Sequence, residues 1–393
     1  MNVSMNENFK HFKDNYLFVE CAKRIKTFQE ANPNSKVIKL SIGDVTRPLP
    51  SVAIDALHKA VDEQASAVTF MGYAPESGYD FSRKAVADYY NRRGVNVSAN
   101  EVFISDGAKS DCGNILDLFG HVNVYVPDPV YPAYVDANIM AGNEIHYIPG
   151  SIDDGFAPLP NDSINFGSLI YICSPNNPTG STYSREKLTE WVNFANEKEC
   201  LIIFDSAYEA FISDDSPRSI FEIDGAKNCA VEICSLSKTA GFTGTRFGWM
   251  IVPTQLESNG LNLNSTWSRR LSTRFNGVPY VIQRAAEAVL SEEGMKICAE
   301  NIEYYKQNAS KFSHFLTSKG YKFTGGINSP YIWMQTKNNM PSWDFFDLLL
   351  NEAQIAGTPG VGFGAQGEGY FRLTSFGKAE DYDEAISRLD KIL

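Results

Sequence analysis

The feature that most constrains this chain is one pattern that recurs five times: a short run rich in Val, Ile and Phe that stops abruptly at a polar cluster. "EVFIS" (101–105) runs into "DGAKSD", "VNVYVP" (122–127) into "DPVYPAY", "SLIYICS" (168–174) into "PNNPTG", "CLIIFD" (200–205) into "SAYEAF", and "CAVEICS" (229–235) into "LSKTAG". Runs this short and this continuously apolar read as strands buried on both faces. Helical periodicity lies between them, clearest in "SREKLTEWVNFANEKE" (184–199), where Ser184 is placed to cap. Strand and helix in alternation predict an α/β fold with a mainly parallel sheet covered on both sides. In such a sheet the five polar clusters converge beyond the carboxyl ends of the strands, where ligands bind.

At 393 residues the chain is too long for one ordinary core. Its character changes after "RFNGVPY" (274–280). A long helical stretch follows from about Pro279 to Lys319, with a break expected near Glu293–Gly294. Then come strands at "PYIWMQT" (330–336) and "YFRLTSF" (370–376), with helices over 342–354 and 381–393. This predicts a large α/β domain over 46–276 and a smaller α+β domain over 277–393. Residues 1–45 are expected to form an arm and to join the small domain, since "VIKLSIGD" offers another short strand.

The net charge of −12 argues against a nucleic-acid partner, which needs a basic face, but leaves room for small anionic substrates. No apolar run is long enough to span a membrane, and the N-terminus carries no signal-peptide or transit pattern. Seven scattered cysteines without a Cys-x-x-Cys or a close His pair predict neither a metal site nor a disulfide framework. The expected setting is the cytoplasm.

The polar clusters carry a particular set of chemistries. Asp205 ends a strand, where its carboxylate can hold a ring nitrogen protonated. Tyr208 follows three residues later, able to donate to a phenolate oxygen. The "DGAK" junction offers backbone N–H groups to a phosphate. Ser235, Ser237 and Arg246 add phosphate ligands, and Lys238 supplies an amine in the same turn. These are the requirements of pyridoxal 5′-phosphate (PLP): an aldehyde trap, a pyridinium partner, a phosphate cup and a stacking ring.

Asn-Asn-Pro-Thr-Gly, then Asp-x-x-Tyr, then Ser-x-Ser-Lys with an arginine eight residues on, then a late arginine, resemble the fold-type I, class I/II aminotransferases. "GDVTRPLP", "GYAPESGY", "SDGAKSD", "DPVYPAYVD", "SKTAGFTGTR", "NGVPYVIQRAAEAV", "SWDFFDLLL" and "GTPGVGFGAQGEGYFRLTSFG" narrow the resemblance to the LL-diaminopimelate aminotransferase family over nearly the whole chain. Ser110 departs from it, standing where cysteine is common.

The resemblance implies the PLP-dependent transferase fold and a role for each matching residue. Lys238 tethers PLP and shuttles the proton at the substrate Cα. Asp205 pairs with the pyridinium nitrogen. Asn177 and Tyr208 bind the 3′-oxygen, and Tyr131 stacks on the ring. Ala108, Lys109, Ser235, Ser237 and Arg246 hold the phosphate, with Tyr73 reaching in from the second chain of a homodimer. Arg372 grips the substrate α-carboxylate; Tyr16, Gly43, Lys109, Asn177 and Asn276 line the substrate pocket. Glu76 of the partner chain holds the distal ammonium. The implied reaction exchanges an amino group between LL-2,6-diaminopimelate and 2-oxoglutarate, in the direction of tetrahydrodipicolinate to diaminopimelate for lysine and wall synthesis.

Other readings compete. The amino donor could be alanine, aspartate or an aromatic residue. "GFGAQG" (362–367) fits the dinucleotide pattern Gly-x-Gly-x-x-Gly, but a strand-like run follows it where a helix is required. "SLSK" (235–238) fits the Ser-x-x-Lys of serine acyl-transfer enzymes, but the companion Ser-Asp-Asn and Lys-Thr-Gly elements are missing. A regulatory ligand-binding module would need an appended basic DNA-binding domain, for which neither terminus has room. Arg372 could also be a structural ion pair rather than a ligand.

Overall fold

The computed structural model describes residues 3–12, 17–41 and 43–393. After β1 (Ile38–Lys39), seven strands build the principal sheet: β2 (Val102–Ser105), β3 (Asn123–Asp128), β4 (Glu144–Pro149), β5 (Leu169–Cys173), β6 (Leu201–Asp205), β7 (Ala230–Ser235) and β8 (Gly248–Ile251). Their order is β2-β8-β7-β6-β5-β3-β4. Only β8 runs antiparallel to its neighbours, so the carboxyl ends of β2, β3, β5, β6 and β7 share one edge of the sheet. Register puts Ser105 and Ser235 on either side of Gly248, and Cys173 beside Asp205.

Two of these strands lie outside the five-run pattern. β4 is an edge strand with only Ile148 buried, so "EIHYIP" lacks a continuous apolar signal. β8 is four residues long and follows the Gly-rich 241–248 segment so closely that it reads as loop. The helix Arg185–Glu197 shows why the strands are covered: Leu188, Trp191, Val192 and Ala195 line one face and are buried against the sheet. Burying such side chains contributes roughly 1.5–3 kcal/mol each for the larger ones. Ser184 caps this helix, accepting from the Lys187 N–H at 3.3 Å.

A short hairpin, β9 (Glu257–Ser258) and β10 (Leu261–Asn262), leads into the helix Leu263–Arg274. The helical stretch that follows is interrupted earlier than its sequence suggests: Tyr280–Val289 ends at Leu290, and Glu292–Ser318 starts afresh. Ser291 dictates the break by capping the second helix, its hydroxyl accepting from the Gly294 N–H at 3.0 Å. Gly294 is therefore part of the new first turn rather than the interruption.

The remaining strands are β11 (Phe323–Gly325), β12 (Tyr331–Gln335), β13 (Ile355–Ala356), β14 (Thr358–Pro359) and β15 (Tyr370–Thr374). They form a four-stranded antiparallel sheet, β11-β12-β15-β14, while β13 pairs with β1 in parallel. The N-terminal segment thus joins this second sheet system through "VIKL". A separate apolar core, including Phe312, Trp333, Phe345, Phe346, Ile355 and Phe371, backs it together with the helix Leu17–Ala31. The "GFGAQG" segment is two single-turn helices followed by β15, which is not a dinucleotide-binding βα junction.

Candidate active site

Between the carboxyl edge of the principal sheet and the second sheet lies a cavity of about 700 Å³. Ala108, Lys109, Tyr131, Asn177, Asp205, Tyr208, Ser235, Ser237, Lys238 and Arg246 all line it, as do Gly43 and Arg372. Three of them sit at or just past a strand end: Asp205 closes β6, Ser235 closes β7, and Lys238 sits in the single helical turn Leu236–Thr239 that follows.

At one end the cavity floor is a cradle. Gly107 has φ +131°, and a Cβ there would come within 2.2 Å of Arg246 Nη2 and 3.1 Å of its Cζ. Only glycine lets the guanidinium lie against that backbone. Gly248 is equally confined, its Cβ falling 2.7 Å from Gly107 Cα. Arg246 itself has φ +64°, a conformation costing a non-glycine residue about 1–3 kcal/mol. Its Nη1 donates to Thr243 O at 3.2 Å and to Ser237 Oγ at 3.4 Å. The N–H groups of Ala108 and Lys109 start the helix Ala108–Asn114, where backbone donors have no intrahelical acceptor. A guanidinium, two serine hydroxyls and free backbone N–H groups around one hollow form a donor set suited to a phosphate.

Asp205 lies deeper. Its Oδ2 accepts from Tyr134 Oη at 2.5 Å and more weakly from Cys112 Sγ at 3.9 Å; its Oδ1 accepts from the Ala207 N–H at 3.0 Å. Burial pushes its pKa up, against those three donors. The donor set is neutral, so a cation is what this carboxylate lacks. Tyr208 Oη is 2.7 Å from Tyr331 Oη. Lys238 Nζ donates to Gly43 O, and burial lowers its pKa to about 8. Asp44 opposes that shift, while Arg246 and Arg372 add to it. An amine so tuned has a substantial neutral fraction near neutral pH, as a nucleophile or base requires.

Arg372, on β15, is 1 % exposed. Its Nη1 donates to Asn177 Oδ1 at 2.7 Å and its Nη2 to Ser41 O at 2.8 Å, while Nε is buried without a partner. Its guanidinium carbon lies 4.6 Å from the centroid of the Tyr331 ring. No carboxylate among the described residues forms an ion pair with it. An interior guanidinium with neutral partners and an orphaned N–H is what a substrate carboxylate would complete, and a structural ion pair is not what holds it.

Four expected residues stand apart. Tyr16 lies outside the described residues. Tyr73 is 90 % exposed, Glu76 and Asn276 are exposed, and none of the three lines the cavity of its own chain. Asn276, expected to line the substrate pocket, does not line the cavity of its own chain. The adjoining Gly277 instead packs on the 73–76 segment, a Cβ there meeting Ala74 Cβ at 2.7 Å and Pro75 O at 3.0 Å. Asn276 therefore shares one surface with Tyr73 and Glu76. Conversely, Tyr134, Tyr331, Ser41 and Thr358 touch the key side chains without having been singled out. Tyr134 alone left a signal, standing one helical turn after Tyr131 in "VYPAYVD".

Residues 35–389 match the family model described as aminotransferase class I and II. An LL-diaminopimelate aminotransferase of Agathobacter rectalis is 49% identical over 98% of both chains. One of Methanosphaera stadtmanae is 48% identical over the full length of both. Among solved structures, the L,L-diaminopimelate aminotransferase from Chlamydomonas reinhardtii superposes with a TM-score of 0.93 at 40% identity, covering 100% of this chain and 99% of the other.

Proposed function

The chain belongs to the class I and II aminotransferases, and from that premise we propose that it exchanges an amino group between LL-2,6-diaminopimelate and 2-oxoglutarate, using PLP, as a homodimer with shared sites. The observation that carries the reading is the meeting, in one cavity, of a buried amine of lowered pKa, a buried carboxylate with only neutral donors, an arginine-backed cradle and a buried guanidinium with only neutral acceptors. The near-full-length likeness to LL-diaminopimelate aminotransferases supports the substrate pair. The physiological direction that follows is tetrahydrodipicolinate to LL-diaminopimelate.

PLP fits the cradle and, when bound, supplies an aldehyde that condenses with amines and a ring that withdraws electrons from the substrate Cα–H bond. Arg246, Ser235, Ser237 and the Ala108–Lys109 backbone would hold its phosphate, Asp205 its ring nitrogen, and Asn177 with Tyr208 its 3′-oxygen. Tyr131, which lines the cavity, would cover the ring face. Arg372 orients the reacting end of the substrate by a two-pronged bond to the α-carboxylate. Lys238 Nζ then takes the proton from Cα and returns one, a step for which an amine near pKa 8 is well matched. The amino donor and the keto acid would occupy the same cavity in turn, with Arg372 holding the α-carboxylate of each.

Two features support a dimer. Val68, Phe70 and Tyr73 form an exposed apolar stretch, at 93, 62 and 90 % exposure. The Tyr73, Glu76 and Asn276 surface beside it has no role in its own chain's cavity. A second copy seated there would bury the first and employ the second. The same reading divides the chain at 45/46 and 276/277. We assign it to the cytoplasm, because all seven cysteines are buried free thiols and, among the described residues, no helix is long and apolar enough to cross a membrane.

The decisive experiment is a panel of amino donors with 2-oxoglutarate as acceptor, following cofactor absorbance in single half-reactions. LL-diaminopimelate should be turned over best. A preference for alanine, aspartate or an aromatic donor would transfer the chain to another branch of the family, and absence of any transamination would remove the reading altogether.

A further inference from the structure

The segment that carries Asp205 and Tyr208 alternates between two environments. Asp205, Ala207 and Tyr208 line the cavity, while Ser206 and Glu209 point into a polar cluster buried on the opposite side of the sheet. Ser206 Oγ donates to Glu232 Oε1 at 3.0 Å. Glu232, on β7, is wholly buried and also accepts from Tyr90 Oη at 2.6 Å, Ser219 Oγ at 2.6 Å and the Ile220 N–H at 3.1 Å. Glu209, 1 % exposed, accepts from Tyr89 Oη and from Arg93 Nη1, the latter at 2.7 Å. The Arg93 guanidinium carbon lies over this group, 4.1 Å from the Tyr89 ring centroid and 4.9 Å from that of Tyr90.

Two buried carboxylates and a buried guanidinium are a costly way to fill an interior, and apolar side chains of the same volume commonly stabilise as well or better. What such a cluster provides over packing is direction: a carboxylate gripped from two sides cannot rotate or slide. Here the grips fall on the residues immediately next to Asp205 and Tyr208. We propose that Glu209, with Arg93, Tyr89 and the Glu232–Ser206 pair, is a positioning group that fixes Asp205 and Tyr208 against the cofactor, an assignment that rests on the reading that both touch PLP. Catalysis is sensitive to placement: a displacement of about 1 Å can cost on the order of 10² in rate.

The experiment compares three holoenzymes with wild type: Glu209→Gln, the paired Arg93→Met/Glu209→Gln, and Tyr89→Phe. The paired variant removes both charges together, so no guanidinium is left buried alone; Tyr89→Phe deletes one hydroxyl and keeps the ring. The measurements are kcat and KM for the donor, the PLP dissociation constant, and Tm of the apo protein. The expected result is kcat lower by ~10–100-fold in the two Glu209 variants, with KM changed less than about threefold and PLP bound more weakly. Tyr89→Phe should lie between them and wild type. Wild-type kcat per PLP-loaded site in the folded variants, with only Tm lowered, would assign the cluster to stability and overturn the proposal, as would failure of all three to fold. A wild type that binds PLP but does not transaminate would instead overturn the functional reading, and the PLP dissociation constants would still test the positioning role.

Discussion

The floor of the cavity and the exposed 73–76/276 surface hold their polar residues in opposite ways. On the floor, Asp205, Asn177 and Arg372 are each buried and hydrogen-bonded to neighbours that are themselves fixed. On the surface, Tyr73, Glu76 and Asn276 are exposed and tied to nothing in their own cavity. On the proposed reading, the groups that act on every substrate are set into the strand ends of one chain, and those that would tell one substrate from another sit where a second chain would bring them to bear.

The hardest test of this division is Lys238→Ala. It should lower kcat by at least ~10²–10⁴, the range lost with a general acid–base group, for every amino donor alike. Turnover close to wild type in steady-state assays would remove Lys238 from the chemistry. Mixed with an Asn276→Ala/Glu76→Ala chain, the inactive Lys238→Ala chain should recover activity through hybrid dimers that carry one intact site. No recovery on mixing and refolding would put both sets of residues in one chain's site.

Arg372→Lys comes next. A lysine cannot reproduce the forked bond, and a charged hydrogen bond contributes ~1.5–3 kcal/mol, so kcat/KM should fall on the order of 10² for all donors equally. A donor-dependent loss would move Arg372 from the common floor to the discriminating surface.

Glu76→Gln should do what floor mutations do not. With one charged hydrogen bond at stake, kcat/KM for LL-diaminopimelate should drop about tenfold while glutamate, which has no distal ammonium, is spared. Equal losses on both donors would end its role in selectivity.

The smallest effect concerns charge. Because Lys238 is held near pKa 8 when folded, the unfolded chain binds more protons between about pH 8 and its ordinary value near 10.4. Stability of the apo protein from this group therefore rises with pH across that window. Apo Lys238→Ala, free of a buried charge, should melt a few degrees above wild type at pH 7, and the gap should close above pH 8. A gap that ignores pH would mean that Lys238 binds protons equally in the folded and unfolded chain, so that burial does not lower its pKa.

The floor was legible in the sequence for a physical reason. Strand ends expose whatever follows them, and the residue types needed there, an amine, a carboxylate and an arginine among serines, are rarely useful together elsewhere. Lys238 and Asp205 announce themselves through local spacing. Tyr331 and Ser41 do not, because they reach the site from the second sheet and the segment after β1, and only folding puts them beside Tyr208 and Arg372. The edge strand β4 was missed since only Ile148 of it is buried, so its sequence imitates a loop. The cluster behind Asp205 was hidden for a different reason: Arg93 and Glu209 look like solvated surface charges, and the partners of Glu232 in its apolar strand come from distant segments that only folding brings together.

The interlock of Gly107, Arg246 and Gly248 bears on how this enzyme can change. A methyl group at position 107 displaces the guanidinium of 246, and one at 248 displaces the backbone of 107. The two glycines are therefore locked differently: a shorter side chain at 246 removes the steric bar at 107, where φ +131° still favours glycine, but leaves 248 closed, because what a Cβ meets there is backbone. Of the two glycines, only position 107 is coupled to the side chain at 246, so a redesign of this corner gains room at 107 through Arg246 and none at 248.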